Sequence, residues 1–439
     1  MIMENCNRLQ KTATLISILF LAVLISPFNL YFDNEFGSKV SHLTYNQGIS
    51  ILEKGVNNTD LMIINAGKYN GDNDKVKLQA ALDDVPEEGA IVLIDSRVWV
   101  AAGLKAKSNT IILGMNGTFL KRPENNTEPF ITFVNASNFA ILNLTFEGGD
   151  IENAYGIMII NCQNFIVQNN TFYNLKESSI KVTLTVDGYS CNFAVINNSF
   201  FNCQNVPIHV FGIPSRRAIR NFLISNNTVI NGTKNGKIGV AFSANGIIDN
   251  NKIIDCEHGI ATRNISNITI TNNHLVNITN YGIYLGTQIG DYGTDDVKIE
   301  KNIIYNAKIG ICRYYGSYPL TKINVINNQF IKNRELDILA DFPGLFINNT
   351  ITEAAKLKIK DPTAIFKETK TIFGQLVLPG DFNNDLRINI KDVALVATCF
   401  GSREGSANWN EKADIISDGK IDMKDLSYVA KNFGLTAVG

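Results

Sequence analysis

An Asn-Asn pair recurs along residues 169–349, and it constrains this chain more than any other feature. The copies are Asn169-Asn170, Asn197-Asn198, Asn226-Asn227, Asn250-Asn251, Asn272-Asn273, Asn327-Asn328 and Asn348-Asn349, with Lys301-Asn302 as a degenerate copy. Successive second positions are 28, 29, 24, 22, 29, 26 and 21 residues apart. A near-regular period of this size means one structural unit stacked many times. Each unit holds short β-branched and aromatic runs without a helical period, so the unit is a coil of strands. One such coil cannot bury its apolar face alone, whereas a stack buries Val, Ile, Leu and Phe in a continuous column. Asn tolerates left-handed backbone geometry, and its amide can bond the coils above and below. The pairs therefore read as structural ladders rather than ligand sites.

This repeat resembles the right-handed parallel β-helix proteins of the pectate-lyase-like superfamily, which includes pectate lyases, polygalacturonases and many surface proteins. The opening segment agrees. Asn70-Gly71-Asp72-Asn73-Asp74 leads into an amphipathic run over 75–82, which Pro86-Glu87-Glu88-Gly89 ends before a strand at 90–94. That is an N-capped helix and a strand. In the resembled proteins such a helix covers the end of the β-helix, where strand edges and core side chains would otherwise be exposed. The expected fold is all-β, a right-handed parallel β-helix (solenoid) with an N-terminal capping helix, followed by a small all-α module. The expected boundaries are 1–33 for a signal peptide or signal anchor, 34–56 for a connector, 57–375 for the β-helix, 376–380 for a linker and 381–439 for the module.

Arg8 and Lys11 precede an apolar run over 13–25, as in a secretory signal. The stretch 12–32 is also long enough to span a bilayer, so an uncleaved membrane anchor is the alternative. Either address puts the remainder outside the cell, secreted or anchored at the surface. The net charge of −1 gives no reason to expect nucleic acid as a partner. Of seven cysteines, Cys162 and Cys191 precede similar Asn-Phe runs and could stack on adjacent coils, where a disulfide is conceivable. Cys203, Cys256, Cys312 and Cys399 show no metal-type spacing and read as buried thiols, and Cys6, before the apolar run, would stay inside or be removed with it. Thirteen Asn-x-Ser/Thr sequons are potential glycan acceptors, a count that the ladders inflate.

A different pattern starts at Asp381. Asp381, Asn383, Asp385, Asn389 and Asp392 stand at positions 1, 3, 5, 9 and 12 of a loop, with the Arg387 carbonyl at position 7. This is the ligand spacing of an EF-hand type calcium loop. It returns 33 residues later as Asp414, Asp418, Lys420 (by its carbonyl), Asp422 and Asp425, with Ile416 in place of the position-3 ligand. An apolar helix follows each loop, expected over 393–401 and 426–434. Loop, helix, linker, loop, helix, with Asp at position 12, resembles a dockerin domain. The resemblance implies bound Ca2+ and a cohesin-like protein as partner. Two departures stand out. Leu386 replaces the glycine of the first loop's sharp turn, and positions 10 and 11, often Ser-Thr in dockerins, are Ile390-Lys391 and Met423-Lys424.

For the solenoid, coils aligned on Gly156-Ile157, Gly239-Val240, Gly259-Ile260, Gly282-Ile283 and Gly310-Ile311 give the facing, because side chains alternate along a strand. Lys181, His209, Arg263, Tyr284, Tyr314 and Asp341 then point outward, with Arg217 and His258 in nearby turns. A cationic, aromatic stripe suits an acidic polysaccharide. Lys181, His209 and Arg263 are the expected catalytic groups, one to take the C5 proton of a uronic acid and another to neutralise its carboxylate. Tyr284, Tyr314, Arg217 and His258 are the expected substrate-binding groups. Hydrolysis would need paired carboxylates. The polygalacturonase pattern wants an Asp pair and a Gly-His-Gly. The coil Ser178-Ser179-Ile180-Lys181 has no Asp, and the second motif appears only as Glu257-His258-Gly259. If the chain is an enzyme, a lyase is the better expectation. The alternative is a non-catalytic glycan-binding, adhesive or envelope solenoid.

Overall fold

The structure, a computed structural model, describes residues 62–287, 292–314, 316, 318–352, 357–371, 380–383 and 387–434. The apolar N-terminal stretch, the connector, most of the linker, Asp385 and Leu386 lie outside the described residues. Three all-parallel sheets of 13, 11 and 12 strands run the length of the solenoid. Each coil visits them in turn, as in Ile157–Ile160, Gln163–Gln168 and Thr171–Tyr173, before the chain steps up to Ile180–Thr183. Sheet neighbours are therefore one coil apart in sequence, which is why a period of two dozen residues reads out as strand pairing.

The two asparagines of each pair divide the work. The first takes a left-handed backbone: φ is 57° at Asn169, 55° at Asn197 and 56° at Asn226, and Lys301 adopts 55° in the degenerate copy. This turns the chain from the 13-stranded to the 12-stranded sheet. The second points inward and is fully buried. Asn170 Nδ2 donates to Asn198 Oδ1 at 3.1 Å, Asn198 to Asn227 at 3.1 Å, Asn227 to Asn251 at 3.0 Å, and the line continues through Asn273, Asn302 and Asn328 to Asn349. Each Oδ1 also accepts the backbone N–H of the preceding rung, and each Nδ2 reaches a carbonyl of the coil below, as Asn227 Nδ2 does to Val195 O at 2.8 Å. Every polar atom of the buried amide is thus paired, the condition for a polar group to sit in a core at all.

Beside the ladder, Phe139, Phe165, Phe193 and Phe222 stack at 4.9, 4.7 and 5.5 Å between ring centroids, and Phe146, Phe172 and Phe200 at 4.8 and 5.0 Å. At the N-terminal end the helix Asp74–Asp83, N-capped by Asn73, packs Leu78, Ala81 and Leu82 inward. It also satisfies edge backbone. Asp74 accepts Val100 N–H at 2.8 Å, and Gln79 Oε1 accepts Lys105 N–H at 2.9 Å. Among the described residues those are the first strands of their sheets, whose edge groups the helix pairs.

Two expectations are corrected. Cys191 lies opposite Gln163 rather than Cys162, and both cysteines are free thiols. Gly239-Val240 is not a strand start in register with Gly259-Ile260. The pairing sets Ile238 against Ile260 and Val240 against Thr262. The slip is two residues, so the facing survives while the height along the strand does not.

Candidate functional site

In the 11-stranded sheet the first and third residues of Ile157–Ile160, Ile180–Thr183 and Ile208–Phe211 are buried, and the second and fourth face outward. Registered pairing makes two outward columns. One runs Met158, Lys181, His209, Gly239, Ala261, Tyr284, Cys312. The other runs Thr183, Phe211, Ala241, Arg263, Gly286. Where the columns carry Gly239, Ala241 and Ala261, the surface sinks into a hollow of about 180 Å³. His209 and Phe211 wall it on one side, Arg263 and Tyr284 on the other, and Lys237 with Asn205 and Asn235 closes the end where the strands begin. A methyl group built on Gly239 would lie 2.8 Å from Val206 Cγ1, 3.7 Å from His209 Cδ2 and 4.0 Å from Lys237 Cε. Glycine here keeps the floor open between the two bases.

The charged side chains lining the hollow are all cationic. Lys237 is 6% exposed, and its ammonium donates to Asn235 Oδ1 and, at 3.4 Å, to Asn235 O. Burial, reinforced by the Arg263 charge, brings it down to about 8, against a smaller opposing pull from Glu257. His209 is held neutral. Burial first, then the charges of Lys181, Lys237 and Arg263, push its imidazole down to about 3. Its Nδ1 lies 3.2 Å from Ser178 Oγ, and its ring stands edge-on to Phe211 at 5.1 Å. A lysine lowered by burial and a neighbouring cation in a concave site makes the hollow the candidate site.

The structure brings some expected residues together and not others. His209, Arg263 and Tyr284 line the hollow. Lys181 is His209's neighbour in register, with its ammonium 4.6 Å above the Tyr155 ring. Tyr284 faces outward yet is 2% exposed, because other rings cover it. Tyr314, His258 and Tyr281 pack on it at 5.0, 5.3 and 5.8 Å, and Tyr314, 46% exposed, is the outer surface of this aromatic group. His258 is buried, which pushes it down to about 4. Arg217 lies elsewhere. It pairs with Asp295 at 2.7 Å and donates to Gly293 O at 2.7 Å and Asn264 O at 3.2 Å, pinning its own segment to later coils. Lys237 and Asn235 were missed by the sequence reading, because the glycine alignment moved their coil by two residues. The acidic residues Glu147, Asp150 and Glu152 of an early coil do not line the hollow. Glu147 accepts from Asn174 Nδ2 at 2.9 Å, and Glu152 pairs with Lys176 at 3.1 Å.

In the C-terminal module the helices are Ile390–Cys399 and Met423–Lys431, each starting three residues before the apolar run suggested. The reason is a capping box at both starts. Asn389 and Asp422 cap, and Asp392 and Asp425 reach back to the cap N–H. Positions 9 and 12 of each loop therefore fix the following helix as well. Asp392 and Asp425 are fully buried. Asp392 accepts from Phe382 N and Asp425 from Ile416 N, at 2.8 and 3.0 Å. Asp414 accepts Asp418 N and Gly419 N at 3.1 and 3.0 Å. Burial, and to a smaller extent neighbouring carboxylates, raises Asp414 and Asp425 from their ordinary values, while Lys424 at 2.7 Å lowers Asp418. Among the described residues no three acidic side chains converge at metal-binding distance. The donor chemistry nonetheless fits a hard cation, with buried carboxylates of one loop repelling each other.

Comparison with known proteins agrees with this architecture. Residues 215–352 match the family described as right handed beta helix region, and residues 379–434 match the dockerin type I domain. Cellulosomal-scaffolding protein B of Acetivibrio thermocellus is 47% identical over 58 residues, which is 13% of this chain and 8% of that protein. The chain thus spans only a small part of that curated relative. An exopolygalacturonase from Thermotoga maritima superposes with a TM-score of 0.52 at 12% identity, over 75% of this chain and 96% of that one. PfbA, a surface adhesin of Streptococcus pneumoniae, gives 0.56 at 14% identity, over 71% and 90%. Likeness at this identity shows the fold alone. The chain is a parallel β-helix, matched to the right handed beta helix region over 215–352, with a C-terminal region that matches the dockerin type I domain.

Proposed function

We propose that the protein acts outside the cell on an acidic polysaccharide, at the hollow around Lys237, while its dockerin domain attaches it to a cohesin-bearing assembly. The carrying observation is the hollow's charge. Its described lining holds Lys237, Arg263 and a neutral His209 and no carboxylate. That is the complement of a uronate and a poor match to the two carboxylates hydrolysis requires.

The chemistry follows from the protonation states. A uronic acid carboxylate neutralised by Arg263 has a more acidic C5–H. The free amine of Lys237 takes that proton. The electron pair forms the C4–C5 double bond, the C4–O bond breaks, and the departing oxygen is protonated by water. Near neutral pH a useful fraction of Lys237 is already unprotonated, the condition for a general base. Tyr314 offers an exposed ring for the next sugar along the chain.

In the module, Ca2+ would be held by the oxygens of Asp381, Asn383, Asp385, Arg387, Asn389 and Asp392 in one loop, and of Asp414, Asp418, Lys420, Asp422 and Asp425 in the other. The ion would neutralise carboxylates that otherwise repel. The exposed pairs Ile390-Lys391 and Met423-Lys424 set the partner's chemistry, an apolar contact beside an acidic one.

The test is ultraviolet absorbance of unsaturated product, with reducing ends measured in parallel, on polygalacturonate, alginate and glycosaminoglycans. Absorbance that Lys237→Met lowers at least about a hundredfold supports elimination. Reducing ends without absorbance would overturn it in favour of hydrolysis. Binding without either product would leave a glycan-binding solenoid.

A further inference from the structure

A second ladder borders the hollow, and it is not made of asparagine alone. Three residues before the first inward isoleucine of successive coils stand Glu177, Asn205, Asn235, Glu257 and Asn280. Asn205 Nδ2 donates to Glu177 Oε2 at 2.6 Å, Asn235 Nδ2 to Asn205 Oδ1 at 3.1 Å, and Asn280 Nδ2 to Glu257 Oε1 at 3.0 Å. At the centre the pattern changes. Glu257 Oε2 accepts the backbone N–H of Asn235 at 2.5 Å. Asn235 then turns both its side-chain and main-chain oxygens on the Lys237 ammonium.

We infer that Glu257 is a positioning residue for Lys237, acting through Asn235. The inference rests on the reading that Lys237 serves the hollow. Its support is geometric: a carboxylate holds the residue that holds the amine. An amide ladder would do for stacking, as it does along the buried line of rungs. Only a carboxylate adds charge beside a buried lysine. The groups facing Lys237 are Arg263 from the strand Ile260–Arg263, Glu257 and His258 from the turn before it, and His209 from Ile208–Phe211. Of these Glu257 is the one anion. It keeps the amine from falling further below its ordinary range.

The experiment is competitive labelling of the full chain with acetic anhydride across pH, reading acetylation of Lys237 by peptide mass spectrometry. No substrate is needed. In the wild type, reactivity should rise through about pH 8. Glu257→Gln keeps an acceptor for Asn235 N–H and removes the charge. Its midpoint should move down, giving about threefold more free amine at pH 7. Asn235→Ala keeps the N–H that Glu257 holds but removes the side-chain oxygen that accepts from the Lys237 ammonium, and should move it the same way. Unchanged midpoints in both variants, with wild-type circular dichroism and melting, would overturn the inference. The two readings fail separately. Shifted labelling with no product from any uronate leaves the ladder standing without elimination. Product formation with unmoved labelling does the reverse.

Discussion

The buried line of asparagines and the hollow lie on the same coils and obey opposite rules. Along the line each coil supplies the same residue to the same bonds, from Asn170 to Asn349. The hollow exists because two adjacent coils break their columns: Gly239, Ala241 and Ala261 replace the larger outward residues on either side, and Lys237 stands where other coils have Ser179, Pro207, Gly259 or Gly282. Repetition builds the scaffold, and its interruption makes a site. The difference is also energetic. A rung is shared by its neighbours above and below, so its loss is felt in three coils. A hollow residue answers mainly to burial and charge.

The sharpest test of that contrast compares the two members of one pair. Asn227→Ala removes the acceptor for Asn198 N and Nδ2, and the donor to Val195 O and to Asn251 Oδ1. Stranding several buried groups should cost about 3–5 kcal/mol of stability in urea or thermal unfolding. Asn226→Ala, exposed and at φ 56°, should cost only about 1–2 kcal/mol, the penalty of left-handed backbone for a residue with a β-carbon. Equal costs would break the division of labour. Next in size is calcium. Ca2+ at a hundredfold excess over its Kd should stabilise the dockerin domain by about 2.7 kcal/mol, reversed by EGTA, with the solenoid transition unmoved. If both transitions respond together, the two regions are not separable in this way.

How much of this was legible in sequence follows from the same contrast. The Asn-Asn period gave the solenoid, and the Asp spacing gave the dockerin domain, because both are repeated. The hollow was only half legible. Alternation put Lys181, His209 and Arg263 on the outer face correctly. Gly239, however, looked like the glycine before a strand, when it is the floor of the hollow. Counting from the asparagine rungs resolves the ambiguity. Ile180, Ile208 and Ile283 lie 10 residues after Asn170, Asn198 and Asn273, and Ile238 lies 11 after Asn227, whereas Val240 lies 13. Lys237 then falls at the start of its strand. The covering of Tyr284 by three rings, and the engagement of Arg217 by Asp295, depend on turns of irregular length and have no periodic signature.

Acid should weaken the interrupted face before the regular one. The imidazole of His209 titrates near its ordinary value in the unfolded chain and at about 3 in the folded one. The unfolded state therefore binds more protons between those values, and stability falls as pH drops through that window. The loss should be on the order of 2 kcal/mol by pH 5, with His258, at about 4, adding to it. His209→Gln should flatten the dependence while leaving the plateau above pH 7 nearly unchanged. An equal slope in the variant would place the acid sensitivity elsewhere, among the carboxylates.

The smallest effect separates position from participation. Arg217 is a cation near the outer face, so charge alone would enlist it in binding an acidic chain. Its guanidinium is occupied by Asp295 and by the carbonyls of Gly293 and Asn264, and its charge is balanced where it sits. Asp295 is partly exposed, so solvent screens the pair, and its worth is closer to that of a surface ion pair than a buried one. Arg217→Ala should cost about 1 kcal/mol in thermal unfolding and leave affinity for polygalacturonate within about twofold of the wild type. Lys237→Met, which removes a charge inside the hollow, should do the opposite, weakening binding with little loss of stability. If Arg217→Ala instead weakens binding as much as Lys237→Met, recognition reads the summed field of the face, and the hollow loses its claim to be the site.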